Sequence, residues 1–503
     1  MRALLVLFLV ACSTLAAAQT APVELPDIGS AAEASLPKSD EYRIGLMIVR
    51  GLRDQGQVLD DPEVADYLQS IGARLAAQTG ASDQNFRFFV VRDPKINAFA
   101  LPGGFIGVNY GLVLATANES QLASVLAHEI AHVTQRHIAR SIRAQSHMNL
   151  ASAAAVLATI LIGATTGASS DVLQGAVAVA QGTAAQRQIN FTRANEYEAD
   201  RVGIGFLAGA GFDPQAMPDL FETLGRRTGL AEAQVPEFFQ THPVSANRIA
   251  ESRARAARYE RPQRPDSLSY ELARERLRVV GPGSEANALP YYQARPADSS
   301  LSTGEHYGEA LALMKAGDNR RATEILRDLV AKNQGATMLY ATLGEALMAS
   351  GDSRAGLAQF AQAMHLFPRN VPLAVRYAEA LMQSGRAKRA HELLLDLFNN
   401  EAPTPEQIRL IALAASAAGD TGDAYYYMSE YHIGSGDLRL ATQQLELALA
   451  APNLTPVQRK RYSARLQEIR DYLAEESRSG RQDRGRASDG TDKRSAQTDT
   501  IPR

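Results

Sequence analysis

Two histidines and a glutamate in the run His128-Glu129-Ile130-Ala131-His132 combine the residue types needed to hold a divalent ion and activate water beside it. At about 100° per residue, His128 and His132 leave one face of a helix about one turn apart, so both imidazoles can reach a single zinc ion. Glu129 lies about 100° round from His128, next to such an ion, where a general base belongs. His137 follows nine positions after His128. On a continued helix it falls about 180° away, and on that ground it is excluded as a ligand.

These side chains need elements to position them. Leu122, Val125, Leu126, Ile130 and Val133 recur at helical spacing, so the histidines ride on a helix with an apolar face. A catalytic zinc takes three protein ligands and leaves one position for water, so a third ligand must come from elsewhere. In the stretch Arg193 to Arg201, Glu196 and Asp200 are four apart and share a helix face, while Glu198 points about 200° away from Glu196's neighbourhood. Glu196 is then the candidate third ligand. Asp200 is the carboxylate that accepts the free N–H of a ligating histidine and fixes its tautomer. The expected cofactor is one Zn2+ per chain.

H-E-x-x-H followed by Glu196-Tyr197-Glu198-Ala199-Asp200 resembles the metallopeptidase family that includes the CAAX prenyl proteases and HtpX. Asn97, Ala98, Phe99, Ala100, Leu101, Pro102, Gly103 and Gly104, ahead of the helix, are similar to that family's N-A-F-A-x-P-G-G segment. The resemblance spans about Glu41 to Arg258 and implies His128, His132 and Glu196 as ligands and Glu129 as base. Thr241 to Arg248 resembles a further element, T-H-P-x-x-x-x-R, and makes His242 and Arg248 candidates to reach the active site. His242 either donates to the oxyanion of a tetrahedral intermediate or takes the fourth zinc position and displaces water. Arg248 is expected to orient substrate or support the oxyanion. Independently, Phe86 to Val91 and Phe105 to Val108 read as strands around a Gly-Gly turn. An exposed edge there would bind substrate peptide through backbone hydrogen bonds, which gives Asn97 to Gly104 a substrate-binding role.

A chain of 503 residues is too long for one core. Its net charge of -3 gives no electrostatic case for nucleic acid as a partner. Arg2, the apolar run Ala3 to Val10 and Ala16-Ala17-Ala18 have the layout of a secretory signal peptide, with the mature chain starting near Gln19 in the periplasm. The sole cysteine, Cys12, falls in the removed segment; alternatively Leu9 to Cys12 resembles a lipobox and Cys12 carries a lipid anchor. Leu150 to Ala164 and Val172 to Ala180 are apolar but short for a bilayer. Buried packing, contact with a membrane surface or a flap over the cleft is expected of them.

Gly317, Gly351, Gly385 and Gly419 are each 34 residues apart, the period of the tetratricopeptide repeat. Tyr340, Leu343, Gly344, Leu347, Gly356, Phe360, Ala363 and Pro368 fill the large, small and helix-ending positions of one unit. The expected fold is mainly α: an α+β zincin-type protease domain with a small β-sheet, followed by an α-solenoid. The expected boundaries are a signal peptide at 1–18, an extended segment at 19–40, the protease at 41–260, and a linker with one helix at 261–302. Repeats with a capping helix follow at 303–476, then a tail at 477–503 too polar to bury a core. A protease joined to such repeats behind a signal peptide resembles the BepA-type periplasmic metalloproteases. That resemblance implies a zinc endopeptidase acting on protein and peptide substrates, with the repeats contacting the outer-membrane assembly machinery. It also implies a chaperone-like role and removal of stalled substrates. The rival expectation is a chaperone or adaptor whose protease is held inactive.

Overall fold

The computed structural model describes residues 37–81, 84–144, 193–228, 238, 241–262, 264–283, 288–294, 301–399 and 402–474. The expected signal peptide with Cys12, the apolar runs Leu150 to Ala164 and Val172 to Ala180, and the tail lie outside them.

Helix α1 (Lys38–Asp54) leads into β1 (Val58–Leu59), α2 (Pro62–Ala76), β2 (Arg87–Val91) and β3 (Ala98–Leu101). A 3-10 turn (Pro102–Gly104), β4 (Phe105–Asn109) and α3 (Tyr110–Ala115) follow. The strands form one sheet in the order β1-β2-β4-β3; β2 and β4 are parallel, with Arg87 opposite Phe105, and the other pairs antiparallel. The apolar run of β2 divides by alternation: Phe88 and Val90 join the core with α2, and Phe89 and Val91 join the core with α1. Both faces are thus covered, as a sheet with a central parallel pair requires. The turn between β3 and β4 needs glycine: Gly103 has φ +80°, and a Cβ there would come within 2.5 Å of the Tyr42 Cα.

Beyond the sheet come α4 (Glu119–Thr134), α5 (His137–Ala144), α6 (Arg193–Gly209), α7 (Ala216–Thr228), α8 (Ala246–Ala256), α9 (Leu268–Val280) and α10 (Ala288–Gln293). Helix α4 starts where the Asn118 side chain accepts from the Gln121 amide at 2.9 Å. The repeats are α11 (Thr303–Lys315), α12 (Asn319–Lys332), α13 (Thr337–Ala349), α14 (Ser353–Leu366), α15 (Val371–Gln383), α16 (Ala387–Phe398), α17 (Pro405–Ala417), α18 (Thr421–Gly434) and α19 (Leu438–Ala450). A last helix, α20, covers 456–474. The 34-residue spacing has a physical cause in the backbone. Gly317, Gly351, Gly385 and Gly419 follow the first helix of each pair with φ of +86°, +88°, +72° and +84°, the left-handed residue that closes a helix. Asp318, Asp352 and Asp420 then cap the next helix.

The two halves share one core. It runs from Leu68, Leu126 and Ile106 through Tyr270 and Leu277 of α9 to Tyr307, Leu339 and Leu343 of the repeats. Charge joins them as well: Arg276 on α9 pairs with Asp61 at 2.8 Å and Glu63 at 3.2 Å, and Arg376 on α15 pairs with Glu63 at 2.8 Å and Glu345 at 3.1 Å. Among the described residues, no helix is long and apolar enough to cross a membrane.

Candidate active site

Helices α4 and α6 pack side by side because Gly203 lets them. A Cβ at that position would sit 3.1 Å from the Ala127 carbonyl oxygen and 3.2 Å from the His128 amide nitrogen. The close approach carries Glu196 and Asp200, seven and three residues before Gly203, onto the two histidines. His128 Nε2 lies 3.0 Å from His132 Nε2 and 3.6 Å from Glu196 Oε2, and His132 Nε2 lies 3.5 Å from Glu196 Oε1. Zinc bonds of about 2.0–2.1 Å in a tetrahedron place neighbouring ligand atoms roughly 3.3 Å apart. The donor set therefore has the type and spacing of a zinc site.

His242 completes the group. Its Nδ1 is 3.3 Å from His128 Nε2 and 3.1 Å from Glu196 Oε1, and ligating atoms of all four residues lie within 4.8 Å of one another. The ring stacks on Phe238 at 5.0 Å, which fixes its plane. Glu129 stands beside this group, with His242 Nε2 3.5 Å from its Oε1. Glu129 is fully buried, and neither of its oxygens accepts a hydrogen bond among the described residues. A buried carboxyl beside His242 and His128 is placed to face a cation or a reacting water.

Two of the candidate ligands, His128 and Glu196, are braced from behind. Asp200 Oδ1 lies 3.0 Å from His128 Nδ1. Arg248 is 2% exposed, donates to both Asp200 oxygens at 2.7 and 2.8 Å and to the Pro243 carbonyl at 2.8 Å, and forms an ion pair with Glu196 Oε2 at 2.8 Å. The partners of its guanidinium are the site's own carboxylates, which departs from the expectation that Arg248 meets substrate.

A second departure concerns His137. Helix α4 ends at Thr134, Arg136 turns the chain with φ +52°, and a new helix begins at His137. An ion pair to Glu41 of α1 holds Arg136 in that conformation. His137 is thereby returned to the site, its Nδ1 2.7 Å from His132 Nδ1 and its Nε2 3.1 Å from Glu198 Oε2. It is not among the four grouped ligand candidates. The sequence held one sign of the break: the step from Val133 to Ile138 is five residues, outside the three-or-four spacing of a continuing helix.

The expected substrate segment lies at the sheet edge. Asn97 precedes β3, Ala98, Phe99, Ala100 and Leu101 form it, and Pro102, Gly103 and Gly104 form the turn. All four β3 residues are buried.

Residues 62–256 match peptidase family M48, and residues 347–414 match a tetratricopeptide repeat family. Over 452 residues the chain is 32% identical to the beta-barrel assembly-enhancing protease of Yersinia pestis, covering 89% of this chain and 91% of that one. The chain belongs to peptidase family M48. The corresponding Escherichia coli K12 protein of the same name is 31% identical over 449 residues, again 89% of this chain and 91% of that one. The mitochondrial metalloendopeptidase OMA1 of Schizosaccharomyces pombe is 35% identical over 192 residues, 36% of this chain and 50% of its own.

As an M48 metallopeptidase the chain requires a metal ion, and its candidate ligands perturb one another's titration. Burial lowers the His128 pKa, but hydrogen bonds to Asp200 and Glu196 outweigh it and lift the value to about 10. Burial and the neighbouring His128 charge hold His132 well below its usual range. Burial raises Glu196, yet His242 and His128 bring it well below the usual carboxylate range. Burial, with the nearby Glu196 charge, keeps Glu129 above its ordinary value against the pull of His242 and His128. Burial also brings His137 down to about 4, Glu198 only partly offsetting it.

Proposed function

We propose that this M48 metallopeptidase is a zinc-dependent endopeptidase of the periplasm that assists outer-membrane β-barrel assembly and degrades stalled or misfolded substrates. The observation that carries the chemistry is the convergence of His128 Nε2, His132 Nε2, Glu196 and His242 Nδ1 beside the buried Glu129. His128, His132 and Glu196 hold the ion. Zinc bound there supplies Lewis acidity to the scissile carbonyl and acidifies water. Glu129 would take a proton from the attacking water and return it to the departing amine. Asp200 keeps the His128 proton on Nδ1, and Arg248 holds Asp200 and Glu196 in place, a positioning role. The assembly role and the periplasmic location rest on the names of the relatives and on the signal-peptide layout of Arg2 to Ala18.

His242 favours a closed resting form, since its Nδ1 sits among the candidate ligand atoms, where it could take a position otherwise open to water. Ala98 to Leu101 then receive an extended peptide along the free side of β3 only after the cleft opens. A second reading, a chaperone with its protease held inactive, draws on the same His242 position and on the repeats.

Glu129→Gln tests the two together. Peptide hydrolysis should fall by about 10²–10⁴ fold while zinc content and folding stay as in wild type. Undiminished cleavage by the purified variant would remove Glu129 from its role. Barrel assembly rescued equally by the variant would assign the assembly function to binding alone.

A further inference from the structure

We propose that His137 and Glu198 form a positioning relay that holds the proton of His132 on Nδ1 and so presents the Nε2 lone pair to the metal; the relay rests on the zinc reading above. The atom of His132 that faces the ligand group is Nε2, 3.0 Å from His128 Nε2 and 3.5 Å from Glu196 Oε1. Neutral imidazole carries a single N–H, so a ligating Nε2 requires the proton on Nδ1. His132 Nδ1 lies 2.7 Å from His137 Nδ1, a hydrogen bond in which one nitrogen donates and the other accepts.

The far side of His137 decides the direction. Its Nε2 is 3.1 Å from Glu198 Oε2, and a carboxylate only accepts. Arg140 donates to the same oxygen at 2.9 Å, so that oxygen serves both neighbours as an acceptor. His137 must therefore donate from Nε2, which leaves Nδ1 to accept from His132. The reverse assignment would set a lone pair of His137 against the carboxylate and move the His132 proton onto the metal-facing nitrogen.

The arrangement mirrors the other histidine. His128 Nδ1 meets Asp200, which Arg248 grips; His132 Nδ1 meets Glu198 through one more imidazole, and Arg140 grips Glu198. Helix α6 supplies the ligand Glu196 and both supporting carboxylates, Glu198 and Asp200, from five consecutive positions. Glu198, which helical geometry turns away from the ion, is thereby connected to it through His137. Full burial of the His137 ring excludes water as a substitute acceptor at this point.

The test is zinc binding to the full chain, measured by chelator competition with zinc alone, with the melting temperature of the metal-free protein followed in parallel. His137→Leu should weaken zinc binding by about 10- to 100-fold with the metal-free melting temperature little changed. His137→Asn can place an amide oxygen where Nδ1 stood and should recover most of that loss. Glu198→Gln, at a side chain about one-third exposed, should weaken binding measurably and serves if His137→Leu does not fold. Zinc affinities of His137→Leu and Glu198→Gln within twofold of wild type would overturn the relay. So would His137→Asn losing as much as His137→Leu. A wild-type chain that takes up no zinc would instead overturn the metal site itself, a distinguishable result.

Discussion

His242 offers the sharpest single-residue test, because the proposed closed form would have its ring and a catalytic water compete for one position. Substrate turnover is scaled by the fraction of molecules in which the ring has left. A closed form favoured by ~1.4 kcal/mol makes His242→Ala about tenfold faster on an unfolded protein substrate. A slower variant would assign His242 to the oxyanion instead. The residues of the site were unequally legible in the sequence. His128, His132, Glu196 and Asp200 could be brought together on paper because four-residue spacing on a helix is a local property. His137 could not, because its position depends on a left-handed Arg136 held by Glu41, 95 residues away in sequence. Arg248 was legible as a residue near the site, but its partners depend on how α8 meets α6.

At the scale of elements, the site depends on how closely α6 approaches α4, and Gly203 sets that distance. Gly203→Val forces side-chain atoms against the Ala127 carbonyl and the His128 amide. Overpacking of this kind costs about 1–3 kcal/mol. Thermal unfolding should show that loss, together with weaker zinc binding as Glu196 is pushed away from the histidines. Unchanged zinc affinity would mean that α6 tolerates displacement without moving its ligand. The fold class was readable from local pattern: apolar spacing for α4, a short apolar run for β2, and the 34-residue glycine recurrence for the repeats, each glycine now seen with positive φ. Strand order was not. That β2 pairs with β4 in parallel and leaves β3 at the edge follows from packing against α1 and α2, which no local window contains.

For the whole molecule, the junction between protease and repeats is a buried charge cluster in which Asp61, Glu63 and Glu345 face Arg276 and Arg376. Burial tends to raise Glu63, but Arg276 and Arg376 hold it down at about 2. A carboxylate with a depressed folded value stabilises fully above its unfolded value near 4.5 and loses that contribution as pH falls toward 2. Asp61 and Glu345 are raised by burial and act with the opposite sign, which moderates the loss. Acid unfolding of the wild type between pH 4.5 and 2 should flatten in Glu63→Gln. Arg276→Ala leaves Asp61 and Glu63 buried beside one fewer cation and should cost about 3–5 kcal/mol. Proteolysis near 284–300 checks whether the repeats then detach. The contributing positions run from 61 to 376, so no sequence pattern announces the cluster.

Anomalous diffraction at the zinc edge from crystals of the purified chain tests the central claim most directly. One zinc per chain is predicted, bound by His128 Nε2, His132 Nε2, the Glu196 carboxylate and, at rest, His242 Nδ1. No zinc at full protein occupancy, or zinc bound away from Glu196, would contradict the account.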